Sequence, residues 1–132
     1  MGLDNGIVLK IIDREAFGPI PEWFRHKEWE PSDEYEINYW RKCWNVRAEI
    51  LTYLGADDDS YEFYMTVEDL RTVNKIVKSI YNPIDWNDGN SIWDWDEIKN
   101  CYLRNLAYAK RMAQCLKKRP ASSYEIFFYD SY

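Results

Sequence analysis

Gly6 to Ile12, Gly-Ile-Val-Leu-Lys-Ile-Ile, is almost continuously apolar and rich in β-branched residues. A short run of that kind, bounded by turn residues, predicts a buried, central β-strand. The pattern then breaks. Residues 17–34 carry Gly18, Pro19, Pro21 and Pro31, with Trp23, Phe24 and Trp29 scattered among Arg25, His26, Lys27, Glu28 and Glu30. This reads as a long loop anchored by Trp23, His26 and Trp29, and a loop of that length either packs its bulky anchors or uses them.

Ser32, followed by Asp33 and Glu34, has the chemistry of a helix N-cap, and Gly55 that of a C-terminal stop. At about 100° per residue, Trp40, Cys43, Trp44, Val46, Ile50, Leu51 and Leu54 share one face, predicting an apolar-faced helix up to Leu54. Arg47 violates the pattern, because it projects into the middle of that face. Tyr61 to Met65 alternates as a strand does. Thr66 and Asp69 have capping-box spacing before a stripe of Val67, Leu70, Val73, Val77 and Ile80, and Tyr81-Asn82-Pro83 closes that helix. After a polar loop around Trp86, Ser91 caps a final helix from Ile92 to about Lys118, buried through Trp95, Ile98, Cys101, Tyr102, Ala109, Met112, Ala113 and Leu116. Tyr124 to Tyr129 is the last strand. The predicted order is β-α-β-α-α-β: an α+β single domain over residues 1–132, with a small, mainly antiparallel sheet of about three strands against about three helices.

Composition changes this picture in one respect. Seven Trp, eleven Tyr and five Phe make 17% of the chain aromatic, so few, large side chains fill the core while some of their polar tips reach a groove or interface. Net charge is −6, from 23 acidic and 17 basic residues. That balance argues against nucleic acid as a partner and leaves room for a partner with a basic surface. Lys117, Lys118 and Arg119 sit where they complement a helix dipole. No apolar run approaches the ~18 residues that span a membrane, and no signal-peptide pattern opens the chain, so a cytoplasmic protein is expected.

The candidate chemistry is sparse. The three cysteines lack metal-ligand spacing, and the five glycines, at 2, 6, 18, 55 and 89, form no phosphate loop. Asp57–Asp59 lacks a calcium-loop pattern. The single histidine, His26, has no nucleophile partner legible in the sequence. No catalytic residue, metal or cofactor is therefore assigned. What remains is a binding constellation of Trp40, Arg41, Trp44, Arg47, Trp93 and Asp94, in which rings stack and an arginine pairs with an anion. The plainer reading makes Arg47 a structural arginine paired with Asp94 or Asp69, with Asn105 also near.

The opening Met1-Gly2-Leu3-Asp4, the Tyr39-Trp40-Arg41-Lys42 segment, the Tyr61–Thr66 strand before an acid-rich helix, and the Tyr-rich C-terminal strand occur together in this order. In these features the chain resembles a family of small uncharacterised proteins of bacteriophages and prophages. It departs from that family's pattern at Cys43 and Trp44, where alanine and asparagine are usual, and at Arg47, where histidine is common. The resemblance implies a setting, a phage or prophage product inside a bacterium, and implies no activity. The leading functional expectation is a non-catalytic accessory module that binds a host or phage protein through Trp and Tyr anchors. The alternative is a small-molecule, possibly nucleotide, pocket of aromatic rings and arginine. An enzyme, or a DNA mimic using Asp57–Asp59, Asp85, Asp88, Asp94 and Asp96, ranks below both.

Overall fold

A computed structural model of the protein describes residues 4–25, 33–41, 44–55, 62–81 and 95–131. The chain runs β1 (Asp4–Ile11), α1 (Arg14–Phe17), β2 (Glu34–Arg41), α2 (Trp44–Leu54), β3 (Glu62–Met65), α3 (Val67–Tyr81), α4 (Trp95–Leu116) and, after a 3-10 turn at Ala121–Ser123, β4 (Tyr124–Ser131). The class is α+β, as expected, but the sheet has four strands, ordered β2-β1-β4-β3 and antiparallel throughout. The first and last strands of the chain thus lie side by side in the middle. Ile7, Val8 and Leu9 of β1 have no exposed surface, which is why this run lacks the alternation of a half-buried strand.

Side chains alternate between the faces of a strand. Asn5, Ile7, Leu9 and Ile11 of β1 stand beside Asp130, Phe128, Ile126 and Tyr124 of β4. Most of that face joins one core with Val46 and Ile50 of α2, Leu70, Val73 and Val77 of α3, and Ala109, Met112 and Leu116 of α4. Burying each large aliphatic side chain contributes about 1.5–3 kcal/mol, and the periodic stripes of α3 and α4 add to the strands' share of this core, as their sequences predict. Thr66 and Asp69 close the expected capping box: the Asp69 amide donates to Thr66 Oγ1 (3.1 Å) and the Thr66 amide to Asp69 Oδ2 (2.9 Å). Gly55, at φ +64°, ends α2 in the left-handed conformation that glycine adopts at least cost.

One predicted element is wrong. Residues 34–41 are a strand, so the helix expected from Ser32 to Leu54 exists only from Trp44 onward; Ser32 itself lies outside the described residues. The cause is a β-bulge. Ile7 pairs with Asn38 and Val8 with Glu36, so Ile37 is an extra residue in β2. Tyr35, Ile37 and Trp40 all reach the core, whereas Tyr39 is exposed. A two-residue step followed by a three-residue step destroys the period of a strand. Joined to Trp44, it imitates the i, i+3, i+7 period of a helix.

The loop after β1 is anchored as its rings require. Phe24 meets Phe17, Trp23 and Tyr35 edge to face, with centroids 4.8–6.2 Å apart, and Trp23 meets Tyr108 of α4 at 5.7 Å. The Arg25 amide donates to the Tyr108 hydroxyl at 2.8 Å. Burial pushes the Tyr108 phenol above its usual value, against the lowering effect of that hydrogen bond and of the Arg25 charge. His26 and Trp29 lie outside the described residues.

On the other face of the sheet, Tyr129 lies across Gly6. A Cβ at Gly6 would stand 2.5–2.6 Å from Tyr129 ring atoms, so the side chain is excluded by packing. Gly6→Ala is expected to lower unfolding stability by roughly 1–3 kcal/mol in urea titrations. In a Tyr129→Ser background the same substitution should cost less than roughly 1 kcal/mol, a coupling of the size contacting residues show. An equal cost in both backgrounds would mean that the ring is not the obstacle.

Candidate functional site

Arg47 sits in α2 with Val46 before it and Ile50 and Leu51 after it, all three buried. Its helix lies over the end of the sheet where β1 begins and β4 finishes. There its guanidinium meets Asp130: Nε is 2.9 and 3.0 Å from Oδ1 and Oδ2, and Nη2 is 2.8 Å from Oδ2. Asn5, the cross-strand neighbour of Asp130, donates from Nδ2 to Oδ1 at 2.6 Å. The Asp130 side chain is 1% exposed and that of Arg47 15%. A carboxylate this deep is tolerable only when paired and hydrogen-bonded, and the planar fork of arginine meets both of its oxygens.

The plainer reading of Arg47 is therefore right in kind, and its carboxylate partner among the described residues is Asp130 and not Asp69. Asp69 is engaged elsewhere: besides its capping bonds, Oδ1 accepts from the Tyr53 hydroxyl at 2.9 Å. Asp94 lies outside the described residues, as does Trp93. Asn105 faces the other way, its Oδ1 3.4 Å from Arg25 Nη1. Trp40 does reach this corner, since it pairs with Asn5 across the β1–β2 ladder, and it is 1% exposed. Arg41 ends β2 and Trp44 opens α2, but their side chains are not among those described. Asn5 Oδ1 and Trp40 Nε1 are buried without a hydrogen-bond partner among the described residues, each at a cost of about 1–3 kcal/mol. Asn38, also buried, donates to the Ile37 and Asn105 carbonyls at 3.1 and 3.2 Å when its amide is oriented to suit those acceptors. Of the predicted aromatic–arginine site, the described residues Trp40 and Arg47 lie at a polar corner of the core, where the guanidinium is paired with the Asp130 carboxylate.

An open surface lies elsewhere. Between α3 and α4 runs a groove of about 640 Å³. One wall carries Arg71, Lys75 and Lys78, and the other Lys110, Gln114 and Lys117. Each trio has the spacing i, i+4, i+7, which aligns side chains along one helical row. Half-buried Asn74 and Leu106 and buried Ala113 form the bottom. Five of the described lining residues are cations and none is a carboxylate; Arg71 does lean toward Glu68, at 3.3 Å, on the exposed face. Sequence reasoning missed this groove by weighing α4's terminal lysines against the helix dipole alone. The signal was present, because no acid occurs between Glu97 and Glu125.

The molecule is an α+β protein in which an antiparallel sheet packs under helices, with a buried ion pair at one end and a basic groove between α3 and α4. Among the described residues there is no cluster of metal-ligating side chains. Comparison with protein-family models, curated proteins and solved structures finds no match. No helix among the described residues is long and apolar enough to cross a membrane. The acidic groups weighed for DNA mimicry at Asp57–Asp59, Asp85, Asp88 and Asp94 lie outside the described residues.

Removing Arg47 while leaving Asp130 strands a buried charge, so Arg47→Leu is expected to cost about 3–5 kcal/mol in chemical denaturation. Adding Asp130→Asn should recover much of that loss; a loss below ~1 kcal/mol for the single variant would mean that the pair behaves like an exposed one. A second prediction concerns acid. Burial raises the Asp69 carboxyl pKa, but bonds from the Thr66 amide, the Tyr53 hydroxyl and the Thr66 hydroxyl outweigh it and leave it below the ordinary value. Its contribution is complete above the unfolded value of about 3.9 and is lost as pH falls through the lower folded value. Melting followed from neutral pH down through that window should fall less steeply for Asp69→Asn than for the parent; parallel curves would contradict the assignment.

Proposed function

We propose that the protein is a non-catalytic binding module, a phage or prophage accessory product acting in the bacterial cytoplasm, and that it engages an anionic protein partner through the α3/α4 groove. The observation that carries this reading is the charge of the groove: five cations and no carboxylate among its described lining residues, on a chain whose net charge is −6. Arg111, Lys118 and Arg119 add positive charge along and past α4, although the guanidiniums of Arg111 and Arg119 lie over the Trp23 and Phe17 rings and do not line the groove. Like charges crowded together cost energy in the free protein, and an anionic partner relieves that cost on binding.

The basis of the leading expectation has moved. A partner was expected to dock on exposed Trp and Tyr anchors and to favour a basic surface. Of the described tryptophans, Trp23 is half-buried and Trp40 buried, while the exposed rings Tyr39, Tyr53 and Tyr64 are not among the residues that line the groove, and the charge of the groove calls for an acidic partner. The runner-up, a small anionic molecule, is favoured by the groove volume of about 640 Å³, which lies in the range of small-molecule sites. Against it, the described lining holds no aromatic ring on which a base would stack.

Binding of fluorescein-labelled poly-glutamate, followed by anisotropy, tests the reading. Affinity should fall as salt rises and drop by roughly tenfold or more in a Lys75→Glu/Lys110→Glu protein that melts like the parent. Binding indifferent to the double reversal, or no binding to the parent at low salt, would overturn it.

A further inference from the structure

We infer that the occupant of the groove is an amphipathic acidic helix of the partner protein; this rests on the anionic-partner reading above. Three features of the groove point to this form of ligand. The first is its floor. Leu106 and Ala113 lie below the cations, and the long stems of Lys75 and Lys110 cover apolar surface while their ammonium groups stay at the rim. A ligand that fills such a groove brings apolar groups to the bottom and charge to both edges, which is the cross-section of an amphipathic helix.

The second is spacing. The rows Arg71–Lys75–Lys78 and Lys110–Gln114–Lys117 step by four and then three residues, or about 6 and 4.5 Å of helix rise. Carboxylates placed on a partner helix at the same i, i+4, i+7 intervals advance by the same rise, so a helix laid along the groove meets each row in register. A phosphate backbone has a single uniform repeat in place of this alternating step, and its charge would continue past the groove toward Glu68 and Asp69 in the first turn of α3.

The third is what the lining lacks. No aromatic ring is among the described lining residues, and single-stranded nucleic acid is held largely by base stacking.

The experiment uses the full chain and three labelled probes. One is a synthetic helical peptide with leucines at i, i+3 and i+7 flanked by glutamates. A second has the same composition with a central proline and the leucines scattered. The third is a single-stranded oligonucleotide of matched charge. The inference expects the helical peptide to bind at least roughly tenfold more tightly than the other two, and to lose that advantage in Lys75→Glu/Lys110→Glu. Equal binding of helical and proline-containing peptides, both abolished by the charge reversal, would overturn the helix and leave the anionic-partner reading standing. Tighter binding of the oligonucleotide, again abolished by the reversal, would replace the protein partner with nucleic acid. Failure of all three probes to bind would overturn both.

Discussion

A carboxylate cut off from water needs its charge answered where it sits, and Asp130 is answered from two elements at once. Arg47 reaches it from α2 and Asn5 from the neighbouring strand β1. Both oxygens are engaged, and a helix, the first strand and the last strand are tied at one corner. The tie has architectural weight because β1 and β4 are the central strands of the sheet. Hydrophobic burial alone would leave α2 several positions on that surface, since apolar contact is non-directional. A hydrogen-bonded ion pair is directional, and it fixes which turn of α2 faces which strand end. In some proteins, buried charge pairs contribute more to uniqueness than to net stability.

The rest of the molecule is arranged around the sheet so anchored. The bulge at Ile37 lets β2 turn Tyr35, Ile37 and Trp40 into one core, and brings Trp40 beside Asn5. The aromatic loop closes the far end of the core through Phe17, Phe24 and Trp23. Three guanidiniums lie over its rings and over the Tyr108 ring they meet: Arg25 on Tyr108 at 4.1 Å, Arg111 on Trp23 at 4.3 Å and Arg119 on Phe17 at 4.8 Å. Among the described rings, Phe17, Trp23, Phe24, Tyr35, Tyr108 and Tyr124 thus form an edge-to-face cluster with a cationic cover. With one face of the sheet and the inner sides of α3 and α4 occupied by core, the outer sides of those helices are left to present charge.

Much of this could be read in the chain. Ile7, Val8 and Leu9 announced a buried central strand, and Leu70, Val73 and Val77 an amphipathic helix behind a Thr66/Asp69 cap, because periodicity and capping are local and survive in any tertiary setting. Residues 34–41 could not be read, because one inserted residue shifts the parity of a strand and nothing local marks the insertion. Arg47 stood out as an arginine in an apolar face, yet its partner did not: Asp130 is 83 residues away, and only the strand order brings it near. The groove failed for a related reason. Each helical row was visible alone, but their confrontation depends on how α3 meets α4.

The molecule has two basic features for which we propose opposite roles: the buried Arg47–Asp130 pair, which holds the fold, and the open α3/α4 groove, which binds a partner. Amide-resolved NMR titration of the labelled protein with poly-glutamate separates them most directly. The account predicts salt-sensitive shifts concentrated over Arg71–Lys78 and Leu106–Lys117, with Asn5, Arg47 and Asp130 unmoved. Shifts centred on Asn5, Trp40, Arg47 and Asp130, with the α3 and α4 rows silent, would contradict it.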